Sequence, residues 1–276
     1  MDKLLFGTAG VPLSAKSRST PDGVLQVRKL GLGGMELEFV RGVRMAPETA
    51  RQVRILAERN NVLLTAHSPY YINLNSHDKA ITEASVKRIL DTARIANLCG
   101  AYSITFHAAY YVGVPKERVF ETVKSQMKSI MRTISNEGIK LWVRPETTGK
   151  ASQFGDMDEL IKLSQEIEGV LPCIDFSHIH ARSGGKFNTL PEFKDLLSKV
   201  ETGLGKEALK NMHIHISGIQ YSDKGERNHL ELRESDMDYK ALMKALREHR
   251  CAGIVISESP NIEEDAALMK EEYERV

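Results

Sequence analysis

Five apolar, β-like runs at 63–67, 103–107, 141–146, 171–175 and 254–258 each close on a residue that binds metal ions well: His67, His107, Glu146, Asp175 and Glu258. A sixth run, 212–217, carries His213 and His215 on one face, because side chains two apart along a strand point the same way. Of the nine histidines, seven (67, 107, 178, 180, 213, 215 and 229) fall at such strand ends or just after them, and only His77 and His249 do not. One histidine at a strand end is ordinarily a hydrogen-bonded, half-buried residue. A set of them beside three carboxylates differs, because burying an unpaired carboxylate costs several kcal/mol. A bound cation supplies the missing countercharge. Nitrogen and oxygen donors without sulfur suit zinc, and manganese as well. Eight or nine candidate ligands exceed what one ion takes, so two or three ions are expected, with a carboxylate bridging a pair. Closely spaced ions activate water near neutral pH and stabilise both the attacking and the leaving oxygen of a phosphate ester.

Residues so far apart must be gathered by a repeating scaffold. Strand patterns at 4–8, 34–39, 62–67, 103–107, 140–146, 170–175, 212–217 and 253–258 alternate with helical patterns at 20–31, 46–60, 78–98, 115–137, 156–167, 189–200, 238–249 and 262–275. In the fourth helix Val119, Val123, Met127, Ile130, Met131 and Ile134 form one apolar stripe. Pro115 marks that helix's start, and Gly100, Gly138 and Gly253 are expected to cap helices. Alternating strands and helices close into an eight-fold barrel or open into a doubly wound sheet. The count of eight, with no GxGxxG after the first strand, favours a single (β/α)8 TIM barrel over 1–276. Every strand's C-terminal end then opens on one face, where such barrels hold their active sites. The loops 176–188, with His178, His180, Arg182 and Gly184-Gly185, and 218–236, with Asp223, Glu226, Arg227 and His229, belong to that face.

Composition restricts the partners. Net charge is +1, so nucleic acid would have to meet a local basic patch and not a global field. Cys99, Cys173 and Cys251 are isolated, which points away from a thiolate zinc site and towards a reducing compartment. No run reaches the ~20 apolar residues of a membrane span, and the first residues do not read as a signal peptide. A cytoplasmic monomer without a membrane partner is expected.

The motifs resemble a known family. His67-Ser68-Pro69-Tyr70-Tyr71-Ile72-Asn73-Leu74 resembles the signature after the third strand of endonuclease IV enzymes, which are zinc-dependent apurinic/apyrimidinic endonucleases. Glu146-Thr147-Thr148-Gly149-Lys150, Asp175-Phe176-Ser177-His178 and Glu258-Ser259-Pro260 are similar to that family's Glu-Asn-Thr-Ala-Gly, Asp-Thr-x-His and Glu-Thr-Pro motifs, and His107 stands where the fourth strand supplies a histidine. The likeness runs in order along almost the whole chain. It implies a barrel with three zinc ions. The first would lie on His67, His107 and Glu146, and the second on Glu146, Asp175, a seventh-strand histidine and Glu258. The third would lie on His178 and His229. It also implies hydrolysis of the phosphodiester 5′ to an abasic site in duplex DNA, as in base excision repair, with Glu146 and Glu258 at the reacting centre.

Three positions depart from the family pattern. Met212-His213-Ile214-His215-Ile216-Ser217 replaces His-Leu-Asn-Asp, which favours His215 as the ligand while His213 shares its face. Arg227-Asn228-His229 replaces Asp-Arg-His, so Asp223 or Glu226 must supply the lost carboxylate or the third ion binds weakly. Leu232-Arg233-Glu234-Ser235 occupies the place of a Gly-Glu-Gly. For DNA, the resemblance matches Tyr70 and Arg41 to wedges that enter the duplex at the missing base. Arg44, Lys16, Arg18, Lys150, Ser152, Gln153, Arg182 and Lys186 are further candidates near phosphates. Arg144, two residues before Glu146, is expected to steady a carboxylate. The alternative reading is a divalent-metal sugar isomerase or epimerase of the same barrel superfamily, since a barrel alone decides no chemistry.

Overall fold

The computed structural model describes all residues, 1–276. Eight parallel strands form the barrel wall: β1 (Leu4–Ala9), β2 (Gly34–Glu38), β3 (Leu63–His67), β4 (Ser103–Phe106), β5 (Trp142–Pro145), β6 (Ile174–Asp175), β7 (Met212–Ile216) and β8 (Gly253–Ser257). Neighbours in sequence pair in space from β1 to β5, β6 pairs with β7, β7 with β8, and β8 returns to β1. The segment leading into β6 closes the ring on β5 through parallel bridges Val143–Val170 and Glu146–Cys173. There the Cys173 N–H donates to Pro145 O and the Thr147 N–H to Cys173 O, both at 3.0 Å.

The crossover helices are α1 (Thr20–Lys29), α2 (Pro47–Asn60), α3 (Lys79–Leu98), α4 (Lys116–Asn136), α5 (Met157–Glu166), then α6 (Phe176–Arg182), α7 (Leu190–Leu204) and α8 (Lys206–Leu209) together, α9 (Tyr239–Glu248) and α10 (Glu263–Arg275). Each predicted helix lies where the periodicity put it, within a few residues at the ends. The α4 stripe is buried at Val119, Val123, Met127, Ile130 and Ile134, with Met131 only half-buried. No helix is long and apolar enough to cross a membrane.

Small residues let the barrel axis fill. A methyl group on Gly34 would lie 2.2 Å from Ile254 Cδ1, so the bare glycine is what allows Ile254 to point inward.

Three local readings change. Residues 176–182, read as loop, form α6, whose first turn is capped by the Asp175 carboxylate accepting from the His178 N–H at 2.7 Å. Its seven residues make only about two turns and mix polar with apolar types, so no apolar stripe at helical spacing marks it, although six of the seven are buried. The segment after β7, also read as loop, is an antiparallel hairpin of Gly218–Ser222 and Gly225–Leu230 with a bulge at Gln220/Tyr221. Gly253 does not cap α9: Arg250 takes the left-handed position (φ 51°), and Gly253 begins β8.

Candidate metal centre

Strand alternation selects the inward side chains. Glu36 is in register with Thr65 and Glu38 with His67, His67 with Thr105, Asp175 with His215, and Glu146 with Cys173. Register partners share a face. A single parity therefore turns Glu36, Glu38, His67, Glu146, Asp175 and His215 into the barrel mouth. His107 and Glu258 follow β4 and β8 by one residue each and complete the same ring.

The side chains gather into three groups of facing donor atoms: His67, His107 and Glu146; Glu146, Asp175, His215 and Glu258; and His178, Glu226 and His229. Glu146 joins the first two by dividing its oxygens. Its Oε2 lies 3.3 Å from His67 Nε2 and 3.4 Å from His107 Nε2, while its Oε1 lies 3.3 Å from His215 Nδ1. Glu258 Oε1 is also 3.3 Å from His215 Nδ1. Two donors of a tetrahedral ion with bonds of about 2.0–2.1 Å stand roughly 3.3–3.4 Å apart, so these separations, which here are direct His–Glu contacts, also fit ligands around shared ions. Asp175 Oδ2 faces the same space, buried and without a hydrogen bond; the nearby His178 Nδ1, at 3.3 Å, gives its proton to Thr147 O instead. An orphaned buried carboxylate oxygen of this kind fits a cation.

Backbone carbonyls set the histidine tautomers. His67 Nδ1 donates to Ser68 O at 2.7 Å, His178 Nδ1 to Thr147 O at 3.0 Å and His229 Nδ1 to Glu258 O at 3.1 Å. Each leaves Nε2 with its lone pair towards the centre, the usual outer arrangement of a metal-binding imidazole.

Of the two acids in the hairpin, the third group includes Glu226 and not Asp223. Glu226, at the tip of the hairpin, reaches to 3.6 Å from His178 Nε2, whereas Asp223 is exposed and outside the cluster. Its N–H donates to Gly149 O at 3.0 Å, and a Cβ on Gly149 would come within 2.5 Å of Glu226 Oε2. The Thr-Thr-Gly stretch after Glu146 thus admits the hairpin.

Electrostatics agree with a cation centre. Burial first, then Glu258 and Glu146, push the Asp175 carboxyl up to about 6 against the pull of His178. Glu38 is pushed up to about 8 by burial and then by Glu36 and Glu258. Despite burial, His67 is raised to about 10, chiefly by Glu146. Protons on such imidazoles show an excess of negative charge that divalent ions would replace.

Other residues fall outside the centre or were overlooked. His180 is buried but turned away, donating to Lys186 O at 2.9 Å and facing Asp236 at 3.2 Å. His213 is buried beneath His215 and does not join the mouth. Arg144 holds no carboxylate: its guanidinium lies at the opposite end of the barrel and donates to Pro172 O at 3.0 Å and to Asn211 O at 2.9 Å. One parity step along a strand keeps the face but changes the depth. Arg182 braces the loop after β5 through Thr148 Oγ1, Lys150 O and Gln153 O at 2.8, 2.6 and 3.0 Å, and Arg18 donates to Val11 O and Pro12 O at 3.3 Å. Lys16, Arg44, Ser152 and Lys186 are exposed. Tyr70 is 62% exposed with its ring 5.7 Å from that of His67, and its N–H donates to Val40 O at 3.4 Å, beside the exposed Arg41. The two candidate wedges therefore sit on adjoining loops at the rim. Sequence reasoning missed Glu36 and Glu38, although two acids in the inward parity of the apolar strand Gly34–Glu38 were a usable signal.

The model of the AP endonuclease 2 family, described as xylose isomerase-like TIM barrel, matches residues 24–275. The chain belongs to this family. Within it, the protein is 47% identical over 270 residues to an uncharacterized protein of Methanocaldococcus jannaschii, covering 98% of this chain and 97% of that one. It is 27% identical over 235 residues to a probable endonuclease 4 of Aquifex aeolicus, covering 81% and 80%. Two solved structures share the fold at a TM-score of 0.73: a D-tagatose 3-epimerase-like protein, 18% identical and covering 98% and 96%, and endonuclease IV from Thermus thermophilus, 17% identical and covering 98% of each. Fold similarity to a nuclease and to a sugar enzyme is thus equal. The relatives named endonuclease 4 agree with the family resemblance read from the motifs.

Proposed function

We propose that this barrel enzyme is a metal-dependent apurinic/apyrimidinic endonuclease that hydrolyses the phosphodiester 5′ to an abasic site in duplex DNA. The observation that carries the reading is the third donor group, His178–Glu226–His229, standing beside the pair bridged by Glu146. A sugar isomerase or epimerase needs one or two ions. A third group is suited to a substrate with both an attacking and a leaving oxygen to stabilise.

The ligands for zinc would be His67, His107 and Glu146 at one position, Glu146, Asp175, His215 and Glu258 at the next, and His178, Glu226 and His229 at the third. Manganese suits the same donors. Bound there, the ions would supply Lewis acidity and lower the pKa of water. The four ligand carboxylates and the buried Glu36 together would still leave three divalent cations with a net positive charge, which a phosphodiester complements. Glu146, 1% exposed, would hold two positions, whereas the Glu258 side chain, 13% exposed and more open to solvent, would take a proton from attacking water. Tyr70 and Arg41 would enter the helix where the base is lost. DNA without a base is the partner this rim suits, and no second copy is required.

The test is incision of a duplex bearing one tetrahydrofuran residue by the zinc-loaded protein. Wild-type protein should cut 5′ to the analogue and leave a 3′-hydroxyl, and Glu146→Gln should abolish cutting. No incision, with turnover of a ketose instead, would move the assignment to the sugar-epimerase reading.

A further inference from the structure

We propose that Glu36, at the bottom of the metal centre, is a positioning residue that sets the His215 ring from behind. The inference rests on the reading of His215 as a metal ligand. Distances separate its contacts from those of the centre. The ligand edges to His215 Nδ1 measure 3.3 Å, but Glu36 Oε1 lies 2.8 Å from His215 Nε2 and Glu36 Oε2 lies 2.9 Å from His213 Nε2. The shorter pair is closer than two donors around one tetrahedral ion and lies at the direct contact distance of a charge-assisted pair, about 2.7–2.9 Å.

The same contrast removes the nearby alternative. Cys173, His213 and His215 also face one another, but both histidines already direct Nε2 at Glu36. His213 Nδ1 accepts from Ser103 Oγ at 3.0 Å, so neither of its nitrogens is free. The grouping is a chain of buried polar contacts: Ser103 Oγ bonds His213 Nδ1, and the two oxygens of Glu36 stand as ion-pair partners against Nε2 of His213 and Nε2 of His215. Every member is fully buried.

The consequence is directional. With Nε2–H of His215 committed to Glu36, only Nδ1 presents a lone pair, and it points at Glu146 and Glu258. His213 occupies the second oxygen of Glu36 and prevents the carboxylate from rotating. Glu36 pairs with no lysine or arginine. A buried anion of this kind needs a cation, and an ion on the far nitrogen of His215 supplies one through the imidazole.

The experiment is zinc and cobalt titration of metal-free Glu36→Gln, His215→Ala and wild-type protein against a chromophoric chelator, with circular dichroism to check folding. His215→Ala should lose one ion per chain. Glu36→Gln should keep the ion count, bind one ion about 10–100-fold more weakly and shift the visible bands of the cobalt-loaded protein. Wild-type affinity with unchanged bands in Glu36→Gln would overturn the proposal. If His215→Ala retains every ion, the ligand reading itself fails, and Glu36 falls with it. Should Glu36→Gln not fold, long-range proton–nitrogen NMR of the zinc-loaded wild type decides: His215 should carry its proton on Nε2, and a proton on Nδ1 overturns the inference.

Discussion

Asp175→Asn should make the metal-free protein more stable and the zinc-loaded protein less responsive to zinc. Asp175 is fully buried; its Oδ1 caps α6 through the His178 N–H at 2.7 Å, while Oδ2 has no donor. Burial, with Glu258 and Glu146, raises its carboxyl from 3.8 to about 6. Each unit is worth about 1.4 kcal/mol, so a shift of roughly two units costs on the order of 3 kcal/mol. The sign follows from the raised folded-state value. Stability is intact below the unfolded pKa near 3.9 and is lost as pH climbs through about 6, so the ionised form strains the metal-free fold above neutrality. Asparagine caps a helix as well as aspartate does and carries no charge. In EDTA at about pH 7.5, Asp175→Asn should therefore gain about 2–3 kcal/mol, roughly 5–10 °C in Tm, and the gain should vanish near pH 4. With zinc at the higher pH the order reverses, because a neutral amide oxygen is a poor replacement for the ligand. Urea unfolding followed by circular dichroism under the three conditions measures this. A variant that loses stability in EDTA at both pH values would refute the reasoning, since Asp175 would then be serving the fold and not an ion.

Other expectations follow from the same geometry. Glu226→Gln should reduce the zinc count by one per chain in elemental analysis; an unchanged count would remove the third position. Gly149→Ala replaces no ligand, yet its Cβ would lie 2.5 Å from Glu226 Oε2 and 2.6 Å from Glu226 Cβ, so it should reproduce that loss, and wild-type zinc content would show that the hairpin finds another seat. Tyr70→Ala should weaken binding to an abasic duplex by about 1–3 kcal/mol with full metal content, read by fluorescence anisotropy, and unchanged affinity would end the wedge role. Arg182→Met removes the donor to the Gln153 carbonyl and the Thr148 hydroxyl, while Lys150 O keeps the Gln153 N–H; it should cost roughly 1–3 kcal/mol and speed proteolysis in 148–154, whereas an unaltered Tm would place the brace elsewhere.

The barrel and its ring of donors were legible in the residue pattern. Alternation at two residues per strand and four-residue steps in the helices named the elements, and the strand-end positions of His67, His107, Glu146, Asp175 and Glu258 follow from that parity. A strand pattern states which way a side chain points but not how deep it sits or what lies across the barrel. It took the folded chain to show that Glu146 turns one oxygen to His67 and His107 and the other to His215, that His215 reaches the mouth while His213 lies a layer below, and that Glu226 enters where Asp223 stays in solvent. Arg144 shows the same limit, since it shares the face of Glu146 and yet belongs to the other end. Helix α6 was hidden because seven residues of mixed polar and apolar type, about two turns, are too few to show a helical stripe. Glu36 was hidden because its partners come from β7, some 180 residues away, and no local pattern records a pairing made across the barrel axis.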